Sequence, residues 1–148
     1  MKKQAALLSA LLLSCSIPAL AETHTVTMKT KGENGMMVFE PAVLKVELGD
    51  TVRFEPTDPG HNSETISGLI PAGAEGWKGA MGQAVEVTIT QEGVYVYKCA
   101  PHLPMAMVGM IVAGKPVNLE QVISDAAAVK TQFFKNKKRL DNYLAQAE

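Results

Sequence analysis

A short stretch in the second half of the chain places a thiol, an imidazole and two thioethers within nine residues. It reads Cys99-Ala-Pro-His102-Leu-Pro-Met105-Ala-Met107. These side chains are soft or borderline metal donors, and their tight spacing lets one loop between two strands present three of them to a single point. The fold must then bring a further donor to this loop from a distant part of the chain. His61 is the obvious candidate, and we call residues 99–107 the ligand loop.

Two histidines, one cysteine and a weak axial methionine are typical of a blue-copper electron-transfer centre. Three other interpretations compete with copper. Cys99 could be a buried apolar thiol, since free cysteine is among the most buried residue types. A Cys-His nucleophile would need an orienting third group that the chain does not offer, because only His24 and His61 remain besides His102. Zinc would usually recruit more cysteine or histidine, whereas a thioether favours copper.

The spacing Cys99-x2-His102-x4-Met107, preceded by His61-Asn62, resembles that of the cupredoxins and most closely that of the bacterial pseudoazurins. Further likenesses are the entry to the ligand loop, Tyr97-Lys98-Cys99-Ala-Pro-His, an early Met36-Met-Val-Phe-Glu-Pro41 stretch, and a helical C-terminal extension. The resemblance implies one copper ion per chain, cycling between Cu(I) and Cu(II). It names four ligands: His61, Cys99, His102 and Met107.

Spacing by itself leaves the axial methionine open. Met105 would give the shorter gap that amicyanins use, and Met110 lies further along an apolar run that predicts a buried strand. The resemblance to pseudoazurins favours Met107, with Met105 at the surface of the loop and Met110 in the core.

Residues 1–21 have the pattern of a secretory signal peptide. Lys2 and Lys3 precede an apolar core, and Ala19-Leu20-Ala21 forms a small-x-small cleavage site. We therefore expect export to the periplasm and a mature chain that begins at Glu22. The alternative is a lipoprotein-type sequence ending at Cys15, which would tether the domain to a membrane.

Cleavage after Ala21 would leave Cys99 as the only cysteine of the exported chain. An unpaired thiol in a compartment that favours disulfides is open to oxidation unless something occupies it. Copper ligation would provide that protection.

Residues 22–148 suffice for a single domain with its own core, a plastocyanin-like domain if the resemblance holds. The sequence contains no repeat and no block of like charge, and the formal net charge of −1 becomes more negative once Lys2 and Lys3 are removed. Nucleic acid is therefore not an expected partner.

Short β-branched or alternating runs, bounded by turn residues, predict strands through most of residues 23–113. Gly49-Asp50 and Glu92-Gly93 predict turns, and the proline- and glycine-rich residues 55–82 predict long irregular connections. This pattern favours an all-β fold, an antiparallel sandwich with the ligand loop at one end. The resemblance implies that this sandwich is a cupredoxin-like antiparallel Greek-key β-sandwich. The strands are expected at residues 24–30, 42–48, 51–54, 85–90, 93–97 and 107–113.

The composition changes at Pro116, and helical spacing predicts two α-helices within about residues 117–147. The first helix starts at Asn118 as N-cap and the second covers residues 133–147, both packing on one sheet. The basic run Lys135, Lys137, Lys138 and Arg139 is expected to be the solvated face of the second helix.

The resemblance also assigns residues around the metal. Asn62 would link the two ligand-bearing loops, and Gly60 would bring its carbonyl close to copper, with Met37 and Pro101 near the site. An apolar patch with a basic rim would dock redox partners, and where the family commonly carries a lysine before the first ligand histidine this chain has Asp58-Pro59. The expected docking residues are Lys31, Lys78, Lys98, Met105 and Pro56.

The resemblance implies a monomeric one-electron carrier without a membrane span. Its transient partners would be a c-type cytochrome or similar donor and a periplasmic acceptor such as a copper nitrite reductase. We do not expect an enzyme, because a multicopper oxidase needs additional histidine clusters and His24 alone would be left to build one. The alternative function is periplasmic copper storage or delivery without electron transfer.

Overall fold

The computed structural model describes residues 20–147. Most of the expected signal peptide and Cys15 lie outside these residues. The described part contains eight strands followed by two α-helices, with a single 3₁₀ turn at Leu103–Met105 inside the ligand loop. The elements are β1 (Thr23–Gly32), β2 (Gly35–Glu40), β3 (Val43–Val46), β4 (Thr51–Pro56), β5 (Glu64–Thr65), β6 (Val85–Thr88), β7 (Gly93–Lys98), β8 (Val108–Ala113), α1 (Leu119–Lys130) and α2 (Arg139–Leu144).

The strands form two four-stranded sheets, in the orders β2-β1-β4-β6 and β3-β8-β7-β5. The predicted sandwich with two C-terminal helices is therefore confirmed. The pairing is mixed instead of purely antiparallel, because β1 runs parallel to β4 and β3 runs parallel to β8. A parallel pair needs a crossover connection, and alternation along single strands does not reveal which strands will be neighbours.

The space between the two sheets is filled by the side chains of alternate residues on the strands of both sheets. Its centre is an aromatic cluster in which Tyr97 lies edge-on to Phe39 and Phe54, with centroids 4.8 Å away in both cases, while Phe54 stacks on Trp77. Cys99 and Met107 belong to this same buried cluster. The ligand loop is therefore anchored in the interior, and its ends are continuous with the packed strands β7 and β8.

The second sheet is covered on its other face by the helices. Val96 and Met110 point away from the aromatic cluster and pack with α1 and α2 residues such as Val122 and Leu140. All six residues of β8 are buried, as expected for a strand with a packed layer on each side. This confirms that both helices lie on one sheet.

Two details of the C-terminal prediction are wrong. The second helix is shorter than expected, because Asn136 adopts a left-handed conformation with φ 53° and α2 begins only at Arg139. Arg139 is also buried, with 8% of its surface exposed, so the solvated basic face is limited to the three lysines before it. Asn118 does stand at the N-cap of α1, but its side chain binds the backbone of Val94 instead of the helix.

At the end of the sandwich away from the ligand loop, Asp50 holds the first strand in place. Its carboxylate accepts hydrogen bonds from the backbone N–H of Glu22, from the His24 ring and from the backbone N–H of Glu47. These donors, in that order of importance, lower the pKa of Asp50 to about 2. His24 therefore has a structural partner here.

Candidate metal centre

His61, Cys99 and His102 converge at one end of the sandwich, where their ligand atoms all lie within 4.8 Å of one another. His61 comes from the irregular segment after β4, and the other two residues come from the ligand loop after β7. The Nδ1 atoms of the two histidines are 3.1 Å apart, and Cys99 Sγ lies 3.7 Å from Nδ1 of His61 and 3.4 Å from Nδ1 of His102. The tertiary structure thus assembles two imidazoles and one thiol from separate loops.

Burial disfavours the charged forms of His61 and Cys99. Loss of hydration lowers the pKa of His61, and the nearby His102 lowers it further, while Asp58 opposes the shift. Burial likewise raises the pKa of the Cys99 thiol, while hydrogen bonds from the backbone N–H groups of Asn62 and His102 lower it by a smaller amount. A neutral imidazole is the form that binds a metal ion, whereas the thiol must give up its proton to do so.

The donor set fits a single soft or borderline metal ion. Separations of 3.1–3.7 Å leave room for one ion bonded at about 2.0–2.3 Å to each atom, the range of metal–nitrogen and metal–sulfur bonds in proteins. Within residues 20–147 no carboxylate or further histidine joins the group. Two nitrogen donors and one thiolate are the trigonal set of a blue-copper centre.

The three methionines near the loop have different surroundings. Met107 is fully buried in the cluster that contains Cys99, whereas Met105 is half-buried on the 3₁₀ turn. Met110 lies on β8 in the other buried cluster, packed toward the helices. Of the three, Met107 is the one whose packing associates it with the thiol.

The backbone of the ligand loop is closed by its own hydrogen bonds. Cys99 N–H donates to the carbonyl oxygen of Met107 at 3.0 Å, and Met107 N–H donates to that of His102 at 3.1 Å. Ala106 completes the turn in a left-handed conformation, with φ 58°. The three proposed ligands of this loop are therefore held at a fixed spacing by the chain itself.

Asn62 joins the two ligand-bearing segments. Its Oδ1 accepts the backbone N–H of Ala100 at 2.8 Å, and its Nδ2 donates to the carbonyl oxygen of Gly79 at 3.1 Å. Asn62 is 4% exposed, and the bond from its side chain to Gly79 is buried, whereas the bond to Ala100 is partly buried. Gly60, two residues earlier, has a φ of 86°, which explains a glycine at that turn, and the proximity of its carbonyl to copper stays a prediction.

Thr30 is a neighbour of the site that the sequence did not reveal. Its hydroxyl lies 3.1 Å from Nε2 of His61, on the side of the ring opposite the Nδ1 that faces Cys99. Its backbone N–H donates to a carboxylate oxygen of Asp58 at 2.7 Å. Thr30 therefore orients the His61 imidazole and holds the segment that precedes His61. Ligating histidines generally have such a hydrogen-bond partner on the ring nitrogen that does not bind the metal. A threonine on a strand far away along the chain carries no local signal of this role.

The expected docking residues differ in accessibility. Lys31 and Lys78 are exposed, whereas Pro56 and Met105 are half-buried, as are Met37 and His102. Pro101, expected near the metal, is exposed. The Lys98 ammonium lies 3.3 Å from a carboxylate oxygen of Glu64, so its charge is largely compensated. Lys31 and Lys78 form no ion pair with another residue between 20 and 147, and a docking role for these lysines stays a prediction.

Comparisons with known proteins agree with this geometry. Residues 26–114 match the family of copper binding proteins described as the plastocyanin/azurin family. The chain is 42% identical over 139 residues to a pseudoazurin of Paracoccus pantotrophus, covering 93% of this chain and 92% of that one. It is 44% identical to a pseudoazurin of Methylorubrum extorquens over 140 residues, 94% of this chain and 91% of the relative.

The comparison with solved structures also finds a pseudoazurin. The crystal structure of native pseudoazurin from Hyphomicrobium denitrificans superposes with a TM-score of 0.74 at 41% identity, covering 85% of this chain and 98% of that chain. Among residues 20–147, no helix has both the length and the apolar character needed to cross a bilayer.

Proposed function

The chain belongs to the pseudoazurins, copper-binding proteins of the plastocyanin/azurin family, and on that premise we propose that it is a periplasmic one-electron carrier with a mononuclear type-1 copper site. The cofactor of the family is copper, and a copper electron carrier is the function that family membership implies. The observation that carries the proposal is the convergence of two imidazoles and one thiol from separate loops.

We propose His61, Cys99, His102 and Met107 as the ligands. Copper, when bound, supplies the Cu(II)/Cu(I) couple, and the protein supplies an environment that changes little between the two states. His61 is fully buried and is held by Thr30, while the ligand loop is closed by its own backbone bonds. Such rigidity keeps the donors from rearranging when the charge changes, which is what rapid electron transfer requires of this site.

His102 is the proposed exit for the electron, because it is the only one of the four side chains with appreciable exposure. Pro101 and Pro104 are exposed beside it and provide an apolar surface, and Lys31 and Lys78 add positive charge. Charge near such a surface steers a partner and raises its association rate more than its affinity, which suits a carrier that must dissociate quickly. A c-type cytochrome as donor and a copper nitrite reductase as acceptor are the partners we propose.

A periplasmic location is proposed from residues 1–21, whose composition is that of a cleaved signal peptide. The remaining residues 22–148 are proposed to act as one domain and as a monomer. Copper storage or delivery is the alternative function. It receives less support from the structure, since a buried three-donor cluster favours firm binding over exchange.

The absorption spectrum of the purified protein with one equivalent of Cu(II) tests the proposal. Intense visible thiolate-to-copper charge transfer, together with reversible reduction, is expected of the carrier. A colourless protein that binds copper would instead support storage, and a colourless protein that prefers zinc would contradict the copper assignment.

The docking surface is tested by charge reversal. Lys31→Glu with Lys78→Glu should slow electron transfer to a copper nitrite reductase and flatten its dependence on ionic strength, because steering is screened over about 8 Å at physiological salt. Lys45→Glu with Lys115→Glu is the matched control, since both lysines are exposed and Lys115 follows the end of β8 that is remote from the ligand loop. Equal losses from both pairs would show that only net charge matters.

A further inference from the structure

Arg139 on α2 is held by backbone carbonyl oxygens around the metal centre. Its Nη1 donates to the carbonyl of Met37 at 2.8 Å and to that of Ala106 at 3.0 Å, with a longer contact of 3.5 Å to that of Met105. Its Nη2 donates to the carbonyl of Met36 at 3.2 Å. One side chain thereby joins the start of β2 to the ligand loop, at the residue that directly precedes Met107.

Two of these carbonyls, those of Met37 and Ala106, belong to residues in a left-handed backbone conformation. In the described part of the chain, three residues other than glycine have a positive φ: Met37 at 52°, Ala106 at 58° and Asn136 at 53°. Asparagine adopts this conformation readily, whereas for methionine and alanine it is unfavourable and persists only where the surroundings enforce it. Arg139 binds the carbonyls of the first two, and the side chain of Asn136 donates to the carbonyl of Met105 at 3.1 Å. The guanidinium thus binds two of the three positions directly, and the third holds the carbonyl of Met105, which lies 3.5 Å from Nη1 of Arg139.

The free-energy cost of burying the Arg139 charge indicates that this residue does more than fill space in the core. Arg139 is 8% exposed and forms no ion pair with any other residue between 20 and 147. A buried charge without a counterion is unfavourable unless its hydrogen bonds are satisfied. The planar fork of arginine can bind several carbonyls at fixed angles, which a leucine or a lysine at this position cannot do.

We propose that Arg139 is a positioning residue for the metal centre: it holds Ala106 in its left-handed conformation and so sets where the side chain of Met107 lies relative to Cys99 and His102. This inference rests on the proposed role of Met107 as the axial ligand. The axial ligand tunes the reduction potential of such a site. The C-terminal extension therefore controls the copper centre through one side chain that does not touch the metal.

Two variants and a matched control test the proposal. Arg139→Gln removes the charge and the fork, Arg139→Lys keeps the charge with a single nitrogen, and Leu140→Ala removes a fully buried side chain of the same helix. Visible and EPR spectra, reduction potential, copper affinity and melting temperature are measured for each. We expect Arg139→Gln to change the spectra and potential and to weaken copper affinity about tenfold. Arg139→Lys should be intermediate, and Leu140→Ala should lower the melting temperature with wild-type spectra.

A second measurement needs no metal. In the copper-free protein, the amide of Met107 should exchange with solvent faster in Arg139→Gln than in Leu140→Ala, because only the first change frees the turn at Ala106. If Arg139→Gln does not fold, the same comparison is made with Arg139→Lys.

The outcomes separate this inference from the proposed function. A wild-type protein without blue absorption would refute the function. A blue wild-type protein whose Arg139 variants keep its spectra, potential and Met107 exchange rate would refute the positioning role alone. Leu140→Ala changing the spectra as much as Arg139→Gln would also overturn it, since any loosening of α2 would then suffice.

Discussion

Replacing Asn62 with alanine tests how much the link between the two ligand-bearing segments contributes to the fold and to the site. The change removes the acceptor of the Ala100 N–H and the donor to the Gly79 carbonyl, at 2.8 and 3.1 Å, and a longer bond of 3.3 Å to the Glu64 carboxylate. A buried polar group that loses its partner costs about 1–3 kcal/mol. Ala100 is exposed and can recover a bond with water, so the total is about 2–4 kcal/mol.

This loss should be visible in thermal unfolding of the copper-free protein. For a chain of this size 1 kcal/mol corresponds to roughly 4 °C, so the melting temperature should fall by roughly 8–16 °C. In the copper-loaded protein, the freed ligand loop should also weaken copper affinity by about 10–100-fold, measured by competition with a chelator.

Asn118→Ala is the matched control, because Asn118 also bonds two backbone groups of a packed segment. Its side chain binds the N–H and the carbonyl of Val94, at 2.7 and 3.0 Å, at the end of β7 away from the metal centre. It should destabilise the fold by a similar amount with unchanged copper affinity and spectrum. The reasoning would be refuted if Asn62→Ala lowered the melting temperature without weakening copper binding, or if Asn118→Ala weakened copper binding equally.

Three further predictions, two on substitutions and one on pH, can each be measured directly. Cys99→Ser should abolish the blue colour and leave the circular dichroism of the sandwich intact, because the core rests on apolar strands; an unfolded variant would mean that the site is structural. Met107→Gln should retain copper but shift its potential and spectrum, whereas Met105→Gln should do neither, and the reverse result would favour the shorter ligand spacing. The pKa of Asp50 lies at about 2, below its ordinary 3.8, so its stabilising contribution is present above about pH 4 and is lost as pH falls toward 2. The free energy of unfolding, measured in urea, should therefore fall between about pH 4 and pH 2 in the wild type and should fall less in Asp50→Asn.

The kind of site can be predicted from the sequence because three of its four proposed donors are close together in the chain. Cys99, His102 and Met107 lie on one loop, and a loop this short between two packed strands can only turn back on itself. The alternation that predicts the strands and the helical spacing after Pro116 are local as well. The two-sheet sandwich and the helices on one face can therefore be recognised from local patterns.

Long-range neighbours were decided by the tertiary structure alone. The parallel pairing of β1 with β4 depends on which strands meet across the sheet, and the alternation within a strand is the same whichever neighbour it has. The partner of Asn118 was missed for a related reason. Asparagine before a helix normally predicts a cap, but a backbone group on a packed strand competes for the same side chain and wins here.

Arg139 shows most clearly what local sequence patterns cannot predict. Within a run of lysines its spacing is that of a solvated face, and nothing local distinguishes it from Lys138 beside it. The fold places carbonyls of β2 and of the ligand loop next to the start of α2, and a planar guanidinium can bind both at once, whereas an ammonium is a single point charge. The sequence by itself thus predicted a set of candidate metal donors, three of which lie on one loop. The tertiary structure decided which side chains hold that loop in place, because the contacts that do so join residues far apart in the chain.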